Sequence, residues 1–321
     1  MNSRDARGPS GEAEPDDAPV RAEGLSRSFG ALKAVRDTSF TVARGRSFAL
    51  VGPDGAGKTT TLRMLCGLLA PDSGSVRLFG RDPRSRSAKA RMGYLSQRFS
   101  LYADLSVDEN IAFFAEIHGV RGYSERRDRL LEFTRLASFR DRAAGKLSGG
   151  MKQKLALACS LIHGPDLLLM DEPTTGVDPV SRREFWEILD SLLADGMALV
   201  VTTPYMDEAE RCDEVALMFR GGILARGSPS ELEARFPYRI LEVPCGDSRA
   251  AARILAGVPG VSETQTFGDR VDVLVKDPDR DGAAVAAALD AGGIPHGAPR
   301  SASPSLENLF VHLLGSEAPS L

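Results

Sequence analysis

Three apolar runs in the N-terminal part of the chain are uninterrupted by charge: Phe48-Ala49-Leu50-Val51, Leu167-Leu168-Leu169-Met170 and Ala198-Leu199-Val200-Val201-Thr202. Each is short and bounded by polar turns, the pattern of strands buried on both faces of a parallel sheet. Ser39–Val42 reads as a further short strand, and Ser47–Val51 runs straight into glycine. A helix is expected from Lys58 to about Leu69, stopped by Ala70-Pro71-Asp72. Between the last two runs, Phe185, Ile188, Leu189 and Leu192 recur at helical spacing, which predicts a helix over Ser181–Leu193. A strand feeding a glycine loop and then a helix is an α/β signature. Ser106-Val107-Asp108-Glu109 is a capping box, and Val107, Ile111, Phe114 and His118 continue one face of the helix it opens. On that face His118 reads as a boundary residue rather than a ligand.

The pattern also divides the chain. Residues 1–21 are rich in Pro, Gly and charge with almost nothing to bury, and read as a disordered tail. Residues 22–236 form the main domain, with a helical subdomain at about 98–160 and a strand pair around Gly221-Gly222-Ile223-Leu224 at its end. After Phe236-Pro237 the composition shifts. Residues 238–316 then read as strand (Tyr238–Val243), helix (Arg249–Leu255), strand (Arg270–Val275), helix (Ala283–Leu289) and a last helix (Leu306–Leu314), a small α+β domain before a tail at 317–321. No internal repeat is visible, so the main domain occurs once.

Composition narrows the function class. Hydrophobic content of 42% and charged content of 26% are those of a soluble globular protein. A formal net charge of -4 argues against a nucleic-acid partner. Cys66, Cys159, Cys212 and Cys245 lie far apart without CxxC spacing and read as buried apolar residues. The N-terminus lacks the apolar core of a signal peptide. No run approaches the roughly 20 apolar residues of a membrane helix. Direct membrane insertion is therefore not expected; the chain is expected in the cytoplasm, with any membrane association supplied by a partner.

The candidate chemistry sits at the strand ends. Gly52-Pro53-Asp54-Gly55-Ala56-Gly57-Lys58-Thr59, followed by Thr60, is a complete phosphate loop between a strand and a helix. Its glycines let backbone N–H groups curl around phosphate oxygens, and the helix N-terminus adds a positive dipole. Lys58 can reach the terminal phosphates, and the Thr59 hydroxyl can ligate Mg²⁺. The run through Met170 delivers Asp171 to the end of a buried strand as a Mg²⁺ ligand, with Glu172 next, placed as general base toward an attacking water. Ser148-Gly149-Gly150 opens a helix from Met151 to about Ile162, a second anion site.

Leu147-Ser148-Gly149-Gly150-Met151 resembles the signature of the ABC ATPase family, with only the last residue changed. The resemblance covers roughly residues 22–316 and implies a P-loop NTPase core binding ATP and Mg²⁺. It implies a nucleotide-sandwich dimer in which Ser148-Gly149-Gly150 closes over the ATP of a second ABC ATPase domain. Phe29 matches the aromatic that stacks on adenine, with a core phenylalanine as the alternative. Gln97 matches the glutamine that senses Mg²⁺ and the attacking water. Gly176-Val177-Asp178 matches the loop that crosses the dimer interface. The order of elements in 238–316 and the phrase Pro304-Ser305-Leu306-Glu307-Asn308-Leu309-Phe310 are similar to the ATPases of ABC-2-type drug exporters. That implies a membrane permease subunit as partner and a position on the inner face of the membrane. Leu306, Leu309, Phe310 and Leu313 share a helical face, suited to core packing or to a dimer contact.

One landmark is absent. Where the family has a histidine in a phrase resembling STHYMDEAE, this chain reads Thr202-Thr203-Pro204-Tyr205-Met206-Asp207-Glu208-Ala209-Glu210. Proline brings neither a side-chain donor nor an N–H. The resemblance then implies weak hydrolysis at this chain's own site and favours a heterodimer over a homodimer. Two further readings stay open: a non-catalytic ATP-binding assembly module, and a soluble ABC protein without a transporter. Asp54, where the family usually carries asparagine, has no assigned role.

Overall fold

The computed structural model describes residues 18–97 and 101–317. The expected N-terminal tail lies outside the described residues as far as residue 17, as do 98–100 at the start of the expected helical subdomain and 318–321 of the C-terminal tail. The chain divides into two compact units, with the division after Ala225.

The first unit opens with β1 (Val20–Phe29) and β2 (Leu32–Val42). Strand structure thus begins inside the segment expected as tail, because Ala18 and Val20 are buried. Then follow β3 (Ser47–Val51), α1 (Lys58–Leu65), β4 (Ser73–Arg77), α2 (Arg86–Lys89) and β5 (Met92–Leu95). After these come α3 (Val107–Ile117), α4 (Ser124–Phe133), α5 (Gly149–Leu161), β6 (Leu167–Asp171), α6 (Pro179–Ala194), β7 (Ala198–Thr203), α7 (Met206–Ala209), β8 (Glu214–Phe219) and β9 (Gly222–Gly227). The main sheet has the order β5-β6-β7-β3-β8-β9, and β5 through β8 pair in parallel. Every residue of β3, β6 and β7 is buried, as their unbroken apolar runs require. An antiparallel sheet of order β2-β1-β4 shares the core, where Phe40 stacks on Phe48 at 4.4 Å between ring centroids.

α1 stops at Leu65, short of the expected Leu69, because the Gly67 and Leu68 amides turn back onto the Met64 and Arg63 carbonyls. The capping box at Ser106 and Glu109 is present. Val107, Ile111 and Ala115 of α3 join Leu131, Leu155, Cys159 and Ile162 in a separate helical core.

The second unit begins at Arg226, within β9, whereas the composition placed the change at residue 236. It contains α8 (Pro229–Ala234), β10 (Arg239–Pro244), α9 (Ser248–Leu255), β11 (Val261–Phe267), β12 (Arg270–Val275), α10 (Pro278–Ala291), β13 (Arg300–Ala302) and α11 (Leu306–Glu317). The order β11-β12-β10-β13, antiparallel throughout, with α9 and α10 as crossovers, is a split βαβ sheet. One face carries the apolar core of Val243, Val271, Val273, Leu255 and Leu289. On the other face the buried Asn308 of α11 donates to Asp272 Oδ2 at 2.9 Å and Gln265 Oε1 at 3.1 Å. All four cysteines are buried and none is in a disulfide.

Candidate functional site

The phosphate loop turns between β3 and α1 at the C-terminal edge of the parallel strands. Gly57 sits at φ +106°, and a Cβ there would lie 2.3 Å from the Ala34 carbonyl oxygen, so no other residue fits. Lys58 is buried, and its ammonium group donates to the carbonyls of Gly52 at 2.8 Å and Pro53 at 3.1 Å. Its third neighbour is Glu172 Oε1 at 3.1 Å. The ammonium thus spans the mouth of the loop and holds the carboxylate against it.

Asp171 and Glu172 leave the end of β6 in different directions. Asp171 Oδ1 accepts from Thr59 Oγ1 at 2.9 Å and from Thr202 Oγ1 at 2.7 Å. Glu172 takes the left-handed backbone conformation, φ +48°, which is uncommon for a residue with a Cβ and costs of order 1–3 kcal/mol. Its amide is held by the Thr202 hydroxyl and the Thr202 carbonyl, both at 3.0 Å. Gln97 Nε2 donates to Glu172 Oε2 at 2.9 Å. The strained turn lifts the carboxylate out of the sheet, and Lys58 and Gln97 receive its two oxygens.

These groups line a cleft of about 400 Å³ whose wall includes Asp54, Lys58, Thr59, Thr60, Gln97 and Glu172. Gly55, Ala56, Gly57, Phe29, Leu32 and Ala34 complete its lining. Phe29 is 48% exposed and Leu32 66%, which excludes the core-phenylalanine reading. The two pair across the Gly30-Ala31 turn of the β1–β2 hairpin, leaving two large apolar side chains uncovered at a polar cleft. Asp54 is exposed at the rim.

Ser148, Gly149, Gly150 and Asp178 do not line this cleft among the described residues. Ser148 caps α5, accepting from the Met151 amide at 3.3 Å, and with Gly149 it is exposed. Gly150 is buried, and a Cβ there would lie 2.4 Å from Ser181 Oγ. The second glycine of the signature therefore serves the packing of α5 on α6, which sequence reasoning did not anticipate. Asp178 is the cap of α6, accepting from the amides of Val180 and Ser181 at 3.1 and 2.9 Å, and those bonds hold its carboxyl below the usual range. In this chain its carboxylate addresses its own helix.

Beyond β7, the Thr203 hydroxyl donates to Glu208 Oε2 at 2.7 Å and accepts from the Tyr205 amide at 3.1 Å. Thr174 Oγ1 donates to the other oxygen of Glu208, which is buried, and Arg182 packs its guanidinium 4.2 Å from the centre of the Tyr205 ring. Pro204, half-buried, adds no donor to this network. The two histidines of this unit stack on each other, His118 on His163 at 4.0 Å, with His163 Nε2 bonded to the Met92 carbonyl. Neither replaces a donor at 204. Leu32, Thr202 and Glu208 escaped the sequence reading. Leu32 was findable as the apolar residue directly across the turn from Phe29.

A phosphate loop feeding a helix, a strand-end carboxylate pair and a signature helix on this sheet define an ABC-type nucleotide-binding domain. The model of the ABC transporter family matches residues 35–175. Nod factor export ATP-binding protein I of Ralstonia nicotianae is 38% identical over 304 residues, covering 93% of this chain and 94% of its own. The probable multidrug ABC transporter ATP-binding protein YbhF of Escherichia coli is 46% identical over 228 residues, 70% of this chain, and this chain spans only 39% of its length. Among solved structures, the ATP-binding subunit of an ABC transporter superposes with a TM-score of 0.62 at 28% identity, covering 68% of this chain and 92% of that one. The chain belongs to the ABC transporter ATP-binding protein family. Among the described residues no helix is long and apolar enough to cross a membrane.

Proposed function

We propose that this chain is the ATP-binding subunit of an ABC-2-type exporter, working with a separate membrane permease at the inner face of the membrane. The observation that supports it most is the convergence of Lys58, Thr59, Glu172 and Gln97 in one cleft beside exposed Phe29, with the buried Asp171 accepting from Thr59. Lys58 and the loop amides hold the phosphates, Phe29 and Leu32 carry the base, and Glu172 orients water with Gln97 beside it. A hydroxyl and a carboxylate oxygen 2.9 Å apart, Thr59 and Asp171, are the donor set of a hard divalent cation, so the residues fit Mg²⁺. When bound, Mg²⁺ would neutralise phosphate charge. The export of drugs or of Nod factor rests on the names of the two relatives and is carried over as part of this reading.

The chain's own site is expected to hydrolyse slowly, because Pro204 stands where a donor to the γ-phosphate belongs. Loss of one such donor costs about 10²–10³ in rate. Ser148 and Gly149 are exposed at the start of α5 and remain able to complete a site on another ATPase subunit. This favours a heterodimer. The test is turnover of the isolated chain: near background for the wild type, raised about 10²-fold by Pro204→His, with the gain removed by Glu172→Gln. Rapid turnover of the isolated wild-type chain, abolished by Glu172→Gln, would overturn the assignment. Binding without turnover in Pro204→His and with all partners present would instead favour an assembly module that uses ATP as glue, the reading Pro204 otherwise supports.

A further inference from the structure

The loop that follows α1 does more than end a helix. Asp72 turns both carboxylate oxygens onto the end of β1: Oδ1 accepts from Arg27 at 2.7 Å and Oδ2 from the Ser28 amide at 2.7 Å. Its own amide donates to the Ser26 carbonyl at 2.8 Å, and Arg27 also donates to the Ala70 carbonyl at 3.2 Å. Four hydrogen bonds therefore tie Ala70–Asp72 to Ser26, Arg27 and Ser28. The next residue is Phe29. The Arg27 guanidinium carbon stands 5.1 Å from the centroid of its ring. A guanidinium at this distance attracts the ring's π-cloud. The ring is 48% exposed.

We propose that Asp72, acting through Arg27, is a positioning residue for the base platform of the nucleotide cleft. The inference rests on the reading of Phe29 as that platform. Asp72 fixes the Arg27 guanidinium and the Ser28 amide, and these hold the Phe29 ring at the cleft wall before nucleotide arrives. A platform ordered in advance loses less conformational freedom on binding. The effect is specific to the base, because the phosphates are held by other residues, Lys58 and the loop amides.

Binding of ATP and of inorganic tripolyphosphate to the full chain, compared by calorimetry, tests this. Phe29→Ala should weaken ATP by about fivefold or more, the loss of a base stack, and leave tripolyphosphate within about twofold. Asp72→Ala should weaken ATP by about threefold to tenfold, again sparing tripolyphosphate. Arg27→Met, which leaves the Asp72 bonds to Ser26 and Ser28 intact, should weaken ATP by about twofold to fivefold, and it decides the matter if Asp72→Ala fails to fold. Equal loss of both ligands in the clamp variants would overturn the proposal, since it would mean a general disturbance of α1. So would unchanged ATP binding in Arg27→Met and Asp72→Ala alongside a weakened Phe29→Ala. Unchanged binding in Phe29→Ala would overturn the platform itself and the clamp with it.

Discussion

At the scale of single residues the site is a set of opposed charges waiting for a ligand. Lys58 and Glu172 are 4% and 7% exposed and hold each other at 3.1 Å, so triphosphate must take the ammonium group from the carboxylate. Glu172→Gln removes the ion pair and the repulsion of phosphate together. It should tighten ATP binding by about threefold to tenfold, ~0.7–1.4 kcal/mol, measured by calorimetry with Mg²⁺ chelated so that no turnover intrudes; equal or weaker binding would show that Glu172 does not compete for Lys58. His163 makes a second prediction. Burial, with stacked His118 next, pushes its pKa down to about 4 from 6.5, against the bond to the Met92 carbonyl and with Arg126 adding repulsion. Between these values the unfolded chain takes up a proton that the folded chain refuses, so stability is full above pH 6.5 and falls as the pH drops toward 4. Carboxylates impose a trend of the same sign, so the measurement is the difference between wild type and His163→Gln in urea unfolding at pH 7 and pH 5. The variant should lose less stability on acidification.

Elements were legible in proportion to how completely they are buried or how regularly they alternate. β3, β6 and β7 declared themselves because a strand covered on both faces needs no polar position. β1 did not: register shifts at Ala22/Leu25, Leu25/Arg27 and Arg27/Ser28 break its alternation, and Gly24 sits in its middle. β11 reads Val-Ser-Glu-Thr-Gln-Thr-Phe, an edge strand whose polar residues resemble a loop. In the candidate site, the motifs picked out residues that share one cleft, from Asp54 to Thr60 with Gln97 and Glu172, whereas Leu32, Thr202 and the Asp72 clamp depend on pairings across the fold that carry no local pattern. The contact of α5 with α6 is another such pairing, and it carries a prediction. Gly150→Ala places a methyl 2.4 Å from Ser181 Oγ and Cβ. Overpacking costs about 1–3 kcal/mol, which outweighs the ~1 kcal/mol that alanine gains in helix propensity. Ser181→Gly in the same chain removes the obstructing atoms while leaving the amide that caps onto Asp178. The double variant should recover at least half of the loss in urea denaturation. Failure to recover any would place the strain elsewhere.

At the scale of the whole molecule, the two units each enclose an apolar core of their own, one built on the parallel sheet and one on the split βαβ sheet. All residues lining the cleft, from Phe29 to Glu172, belong to the first. Binding free energy is delivered to whatever unfolds together with the site: at a ligand concentration of about 100 Kd it amounts to ~2.7 kcal/mol. Amide exchange read by peptide therefore separates the units. ATP with Mg²⁺ should slow exchange in β3, α1 and β6, whose opening destroys the cleft. In β10 and β12, whose core shares none of the lining residues, protection should stay unchanged. The same gain across β10 and β12 would show that the chain opens as one cooperative block, and nucleotide occupancy would then reach the C-terminal unit directly. An unchanged C-terminal unit would instead confine the immediate effect of ATP to the first unit, leaving β10–β13 and α11 to keep one stability whether the cleft is empty or filled.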